Sequence, residues 1–371
     1  MLSYTNLIVT GGGKLALFKW LQNWLYDRPT KVLGIDFSHD ALKILSMKTG
    51  NSPCALEKLA AFDWPLELQN NGWVTQPEAA GDFLKACLTK QGISATRAVV
   101  SAGSQVAFVR EIDFPAMTET ELASAMQWDA EQYIPMEPGS YYYDYLSGGK
   151  GNSDLEMKVL LFAASKEWVD AVERILAMAG IRLLSVETEA IAVKRLVPEL
   201  QDFLLLDMGA RTSQLTVFQR GWPVAQRNIP LGGAALTNAL AEKLGEEMEE
   251  AERIKRYRQD AAQLLCQFAP DEENVITELG REVQRTADYY RVNNAEAVFS
   301  TVVVTGGGWL PACSDSLSSF LHISVRTLRP FSAVSLPLAQ WDADYLSRLE
   351  GRMAVCVGLC LREAREHEAY D

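Results

Sequence analysis

The stretch from Phe203 to Phe218, FLLLDMGARTSQLTVF, narrows what this chain can fold into more than any other. An apolar run ends in Asp207, turns through Gly209 and resumes as a half-polar strand, which is the pattern of a β-hairpin with an acid at its bend. The pattern recurs at Val32 to Met47, VLGIDFSHDALKILSM, where Asp36 takes the same place. Two such hairpins point to a duplicated architecture. At each, the backbone N–H groups of a small polar turn can cradle phosphate oxygens, helped by Ser38 in the first and by Thr212 and Ser213 in the second. The carboxylate can hold the hydrated magnesium that accompanies them.

With 371 residues the chain exceeds one ordinary core and suits two domains. A formal charge of −13 works against a nucleic-acid partner, because phosphate backbones reward basic surfaces. No unbroken apolar run reaches the length of a membrane span. The six cysteines show no CxxC pairing and no histidines at metal spacing, which fits a reducing cytoplasm. Cys356 and Cys360, at i and i+4 on an apolar helix, read as small buried hydrophobes.

Before Pro29, the spacing of Leu15, Phe18, Leu21, Trp24 and Leu25, with Lys14 and Lys19 alongside, is that of an amphipathic helix suited to a membrane surface or a partner. TGGGK at Thr10 to Lys14 lacks phosphate-loop spacing. Further on, Gln76 to Gly92 is expected as a helix with a glycine stop, and Thr118 with Glu121 forms a capping box. The tyrosine-rich run Tyr141 to Leu146 reads as a strand. Leu236 to Arg258 reads as one charged helix in which Glu252 and Lys255 share a face. Leu231 to Ala234 (LGGA) would open that helix with N–H groups suited to an anion. The strand STVVVT ends in Gly306, Gly307 and Gly308, whose missing Cβ atoms would let the backbone approach a ligand.

In this order the set resembles the actin, hexokinase and chaperone ATPase superfamily, and within it the PilM family of type IV pilus assembly proteins, relatives of the cell-division protein FtsA. The residues that carry the resemblance are VLGIDFSHDALKIL, AMQWDAEQYIPMEP at 125–138, the segments 160–196 and 204–237, and VVVTGGGWLPACSDSLSSFL at 302–321. It implies an α/β, two-lobed actin-like ATPase fold with an FtsA-like inserted subdomain. The expected division is a leader at 1–29, a first lobe at 30–200 with the insert at about 95–155, and a second lobe at 201–371 whose C-terminal helix is free to return to the first.

The resemblance also implies ATP and Mg2+ as cofactors. Asp36 and Asp207 become the magnesium-side acids, acting through water. Ser38, His39 and Lys43 belong to the first phosphate hairpin, and Gly209, Ala210, Arg211 and Thr212 to the second. Gly232 and Gly233 lie on the phosphate side, while Glu252, Lys255, Gly306, Gly307 and Gly308 border the adenosine. His39, Asp40 and Arg211 depart from the small residues usual there. Glu187 and Glu189 stand where a water-orienting catalytic group would sit, and binding is expected over turnover. The implied partner is the cytoplasmic N-terminal tail of a PilN-like membrane protein, docked extended beside the insert, together with other pilus assembly components. That makes the chain a cytoplasmic scaffold held at the inner membrane through its partners, with a homo-oligomer left open. A small-molecule kinase and a filament-forming protein of the same fold are the competing readings.

Overall fold

The computed structural model describes residues 31–38, 41–49, 54–65, 67–70, 73–150, 155–257, 265, 274–294, 297–337 and 341–368. The leader, His39 and Asp40 lie outside these residues. The chain divides into two compact units. Unit 1 runs to Leu196 and takes in Ala333–Pro337 and the residues from Val355; unit 2 holds Val197–Ser332 and Leu338–Ala354.

In unit 1, the apolar run after Pro29 becomes β1 (Lys31–Phe37), which pairs antiparallel with β2 (Ala41–Lys48). A third strand, β3 (Ala55–Asp63), continues the meander through a piece that reads from sequence as turn-rich. A ribbon of β4 (Gln69–Asn70) and β5 (Trp73–Val74) leads to α1 (Pro77–Gln91), which Gly92 stops in the left-handed conformation at φ 62°. Next, β6 (Arg97–Ala102) lies parallel to β1.

The chain then leaves this sheet to build β7 (Ala107–Pro115), α2 (Glu119–Tyr133), β8 (Tyr141–Lys150) and β9 (Glu156–Ser165), a three-stranded antiparallel layer in the order β7-β9-β8. Leu122, Met126 and Ala130 of α2 pack on Ile112, Val159 and Leu161 of that layer. The expected capping box is present: the Thr118 side chain accepts from the Glu121 amide, and Glu121 accepts from the Thr118 amide. The chain returns through α3 (Lys166–Met178), β10 (Arg182–Thr188) and α4 (Glu189–Lys194), with β10 parallel to β6.

Unit 2 repeats this order. β11 (Phe203–Met208) and β12 (Ser213–Gln219) form the second hairpin, and β13 (Trp222–Ile229) extends it. Three helices follow, α5 (Gly233–Leu244), α6 (Met248–Tyr257) and α7 (Val275–Asn293), and then β12's neighbour β11 receives β14 (Thr301–Thr305) in parallel. After α8 (Ser314–Leu321), β15 (Ser324–Thr327) closes the sheet. The two five-stranded sheets are β10-β6-β1-β2-β3 and β15-β14-β11-β12-β13, the same topology twice. The duplication inferred from two hairpins therefore extends to all five strands. The single helix expected over 236–258 is two, because Gly245 adopts φ 68° and caps α5.

The last helices are α9 (Ala343–Leu349) and α10 (Ala354–Glu368). Leu33, Ile35 and Val100 of the unit 1 sheet meet Leu84 and Leu88 of α1 and Val172 and Ile175 of α3. From α10, the Cys356 thiol donates to the Lys43 carbonyl at 3.6 Å and the Cys360 thiol to the Leu45 carbonyl at 3.6 Å. Both cysteines are buried small groups, as their spacing suggests, and Cys54 and Cys87 are free thiols as well. Cys313 differs from the sequence expectation: it is disulfide-bonded, to a partner outside the described residues.

The helix comes this close because of glycine. A Cβ on Gly34 would collide with the Cys356 carbonyl oxygen, and one on Gly358 with the Ala192 carbonyl oxygen. We predict that Gly358→Ala lowers unfolding free energy by about 3 kcal/mol, the cost of overpacking against backbone. Gly92→Ala, in open space at φ 62°, should cost only about 1 kcal/mol. Urea denaturation of both variants checks this, and equal effects would contradict the tight packing of α10.

Candidate functional site

The register of unit 1 places a row of polar residues across adjacent strands. Asp36 on β1 faces Lys43 on β2 and Ser101 on β6, and Ser101 faces Glu187 on β10. Asp36 is 1% exposed. Its carboxylate accepts from Ser38 Oγ at 2.6 Å, Lys43 Nζ at 2.9 Å and Ser101 Oγ at 2.8 Å. Burial pushes the carboxyl up, but the Lys43 charge and the three donors outweigh it and hold the group below its usual 3.8. Asp36 is therefore a saturated ion-pair partner that fixes Ser38 and Lys43 rather than an acid turned to solvent.

Glu187, at the end of the same row, is equally enclosed. Arg195 grips it with both guanidinium nitrogens, at 2.5 and 2.9 Å, and Arg362 Nε lies 3.0 Å from Oε1. Arg362 also donates to Ser185 Oγ. A carboxylate bound bidentately at 1% exposure cannot also orient a water, so the structure gives Glu187 a structural role, tying α10 to β10. Of the two acids named from sequence, Glu189 is the half-buried one, with its carboxylate about the backbone at Gly103.

In unit 2 the equivalent row reads Gln214, Asp207 and Thr305. Where Asp36 has a lysine opposite, Asp207 has a neutral amide, and it is half-buried. Three backbone loops converge beside it. Gly233 N–H donates to the Gly209 carbonyl at 2.9 Å, Ala234 N–H to the Ala210 carbonyl at 2.7 Å, and Gly308 N–H to the Met208 carbonyl at 2.8 Å. Gly306 has φ 100°, and a Cβ there would lie 2.5 Å from Asp207 Oδ1. A Cβ on Gly233 would come within 2.7 Å of the Gly308 Cα.

These contacts correct two sequence expectations. The glycines at 306 and 308 are demanded by loop-on-loop packing, whether or not a ligand approaches them. The first N–H groups of α5 are taken by the 209–210 carbonyls, so the helix head is not the anion donor. The uncovered donors are elsewhere. Among the described residues, no acceptor meets the amides of Ala210, Arg211 and Thr212. A Cβ on Gly232 would lie 2.7 Å from both the Arg211 and the Thr212 nitrogens. Gly232 therefore packs on this turn with no room for a side chain, and a phosphate group fits a set of amides that meet no acceptor.

Glu252 and Lys255 reach the same loops from α6. Lys255 Nζ donates to Gly233 O at 2.9 Å and Thr237 Oγ1 at 2.7 Å, and pairs with Glu252 at 2.6 Å. Burial draws the lysine below its usual 10.5 despite Glu252. Arg256 Nε holds the other Glu252 oxygen at 2.6 Å. The pair is thus a strut between α6 and the head of α5, more than a surface ion pair. Thr237, Ser101, Arg195 and Arg362 were not read from sequence. Ser101 is visible only once β6 is laid beside β1, and Arg362 only once α10 is placed.

Residues 34–364 match the family described as type IV pilus assembly protein PilM. The chain belongs to that family. Its place is accordingly in type IV pilus assembly. A solved PilM-PilN type IV pilus biogenesis complex shares 26% identity with a TM-score of 0.73, covering 91% of this chain and 99% of that one. The ethanolamine utilization protein EutJ from Carboxydothermus hydrogenoformans has the same fold at 17% identity and TM-score 0.54, with 90% of each chain covered. The cell division protein FtsA of Bacillus subtilis (strain 168) is 27% identical over 136 residues, 36% of this chain and 30% of FtsA. The matched region spans less than a third of that relative. These likenesses bear out the actin-like, FtsA-related fold expected of the PilM family. Among the described residues, no helix is long and apolar enough to cross a membrane, and no group of three or more His, Cys, Asp or Glu could hold a metal ion unaided.

Removing Lys43 tests the unit 1 row. Lys43→Met strands a buried carboxylate and should cost about 3–5 kcal/mol, most of which Asp36→Asn added to it should recover. The sign with pH follows from the lowered Asp36 carboxyl. Its contribution is present above the usual 3.8 and is lost as pH falls through the lower folded value. The stability gap between wild type and Asp36→Asn, from urea melts at a series of pH values, should therefore close in acid.

Proposed function

We propose that the chain is a nucleotide-binding scaffold of the pilus inner-membrane assembly complex, docking the cytoplasmic N-terminal tail of a PilN-like membrane protein. What carries the partner assignment is the likeness to the PilM-PilN complex, which extends over nearly the whole of that PilM-family chain. Attachment to the inner membrane through that partner belongs to the same reading.

The nucleotide part rests on the cradle at Gly232. The amides of Ala210, Arg211 and Thr212 suit phosphate oxygens, and Asp207, which lacks a lysine opposite it, suits a hydrated magnesium. Ser38 and Lys43, fixed by Asp36, are the corresponding polar groups of unit 1. Glu252, Lys255 and the 306–308 loop are the adenosine-side set. Bound Mg-ATP would supply the polyanion that the amides of the 209–212 turn suit. Asp36 enters this reading as a positioning group, and the metal-side role falls to Asp207.

Turnover finds little support. Phosphoryl transfer to water needs a residue that orients the nucleophile, and Glu187 is held by two arginines. Glu189 is the remaining candidate. The reading is therefore binding with weak or absent hydrolysis.

Two titrations test this. A synthetic peptide of the PilN-type subunit's cytoplasmic tail should bind the full chain in calorimetry, and no heat with or without Mg-ATP would end the docking assignment. Asp207→Ala should weaken Mg-ATP binding at least tenfold in the presence of magnesium and by much less in EDTA, with melting temperature unchanged. Equal loss in both conditions would remove the metal-side role.

A further inference from the structure

Resting on the nucleotide reading above, we propose that Arg211 makes the 209–212 turn a discriminator of triphosphate from diphosphate, recognising the added charge of the terminal phosphate. The cations that α6 brings to this part of unit 2 are committed: Lys255 is held by Glu252, Thr237 and the Gly233 carbonyl, and Arg256 by the second Glu252 oxygen.

Arg211 stands apart from these. Its side chain is exposed, it sits on the turn whose amides at 210–212 meet no acceptor among the described residues, and no carboxylate among those residues pairs with it. Arg352 has no acidic partner among the described residues either, but its aliphatic stem lies against the backbone of Gly307, where a Cβ would meet its Cγ at 2.7 Å. That loop belongs to the adenosine side, which ATP and ADP share.

Discrimination is a difference of affinities. The amide cradle and the strut from α6 contact groups common to both nucleotides and cannot separate them. The magnesium complex of a triphosphate carries about one more negative charge than that of a diphosphate, and phosphate is the anion a planar guanidinium binds best. An arginine on the phosphate turn with no acidic partner among the described residues rewards that extra charge, whereas a small neutral side chain would not.

The experiment is calorimetric titration of the full chain with Mg-ATP and Mg-ADP, in wild type, Arg211→Ser and Arg211→Lys. Wild type should prefer ATP by about tenfold, equivalent to about 1.4 kcal/mol. In Arg211→Ser the preference should fall to within about twofold through lost ATP affinity, with ADP affinity and melting temperature unchanged, and Arg211→Lys should keep more preference than Ser. A wild type that binds both nucleotides equally, or a serine variant that keeps the wild-type ratio or loses both alike, overturns the proposal and leaves the nucleotide site standing. A wild type that binds neither nucleotide overturns both.

Discussion

A buried carboxylate must find compensation within the protein, and Asp36 finds it in a lysine directly across the hairpin and a serine on the next strand. That requirement fixes more than one side chain. Lys43 reaches Asp36 only in the observed β1–β2 register, and a slip of one residue would turn it to the other face of the sheet. Ser101 can donate only if β6 lies parallel to β1 at this offset. One charge thus specifies the order and alignment of three central strands, and α10 packs on the same face of the sheet, against Gly34.

The repeat in unit 2 shows what the same topology does without the lysine. Gln214 occupies the place of Lys43 and Thr305 that of Ser101, so the residue directly across the hairpin from Asp207 carries no charge. Two acids at equivalent places in a duplicated fold have consequently diverged. One is spent on alignment of strands, and the other stands beside three loops and a set of uncovered amides. Sequence symmetry alone would give them the same role, and it is the residue across the hairpin that separates them.

Much of this was legible in the chain. The acid-ended apolar runs gave the hairpins, since a period-two pattern interrupted by a polar bend has few other solutions. Thr118 with Glu121, and Gly92, marked helix ends through local chemistry that needs no tertiary information. Other features depended on packing and were out of reach. β3 was hidden because its alternating residues follow turn-forming ones. The break at Gly245 was masked by the charged residues on either side, which favour a helix on each. The 306–308 glycines were recognised as special, and loop packing by itself already demands two of them, Gly306 and Gly308. A missing Cβ marks a close approach, and the sequence cannot say whether a ligand or another loop makes it. Here the Gly209, Gly233 and Gly308 backbones touch one another, and Gly232 packs in the same way on the backbone of Arg211 and Thr212.

The same distinction bears on what a bound nucleotide could accomplish. Loops packed backbone to backbone through glycine, braced by Lys255 and Thr237, are held before any ligand arrives, so little ordering cost remains for binding to meet. Chemistry would need a further group held in reserve, an acid with a lone pair turned to water. Glu187, aligned with Asp36 along the same row of the sheet, has been drawn instead into a bidentate grip by Arg195 and a contact from Arg362. An arginine pair of that kind converts the would-be catalytic position into an anchor for the last helix. Preformed donors beside an immobilised Glu187 are what the proposed binding without turnover would need, with Glu189 as the acid left to test.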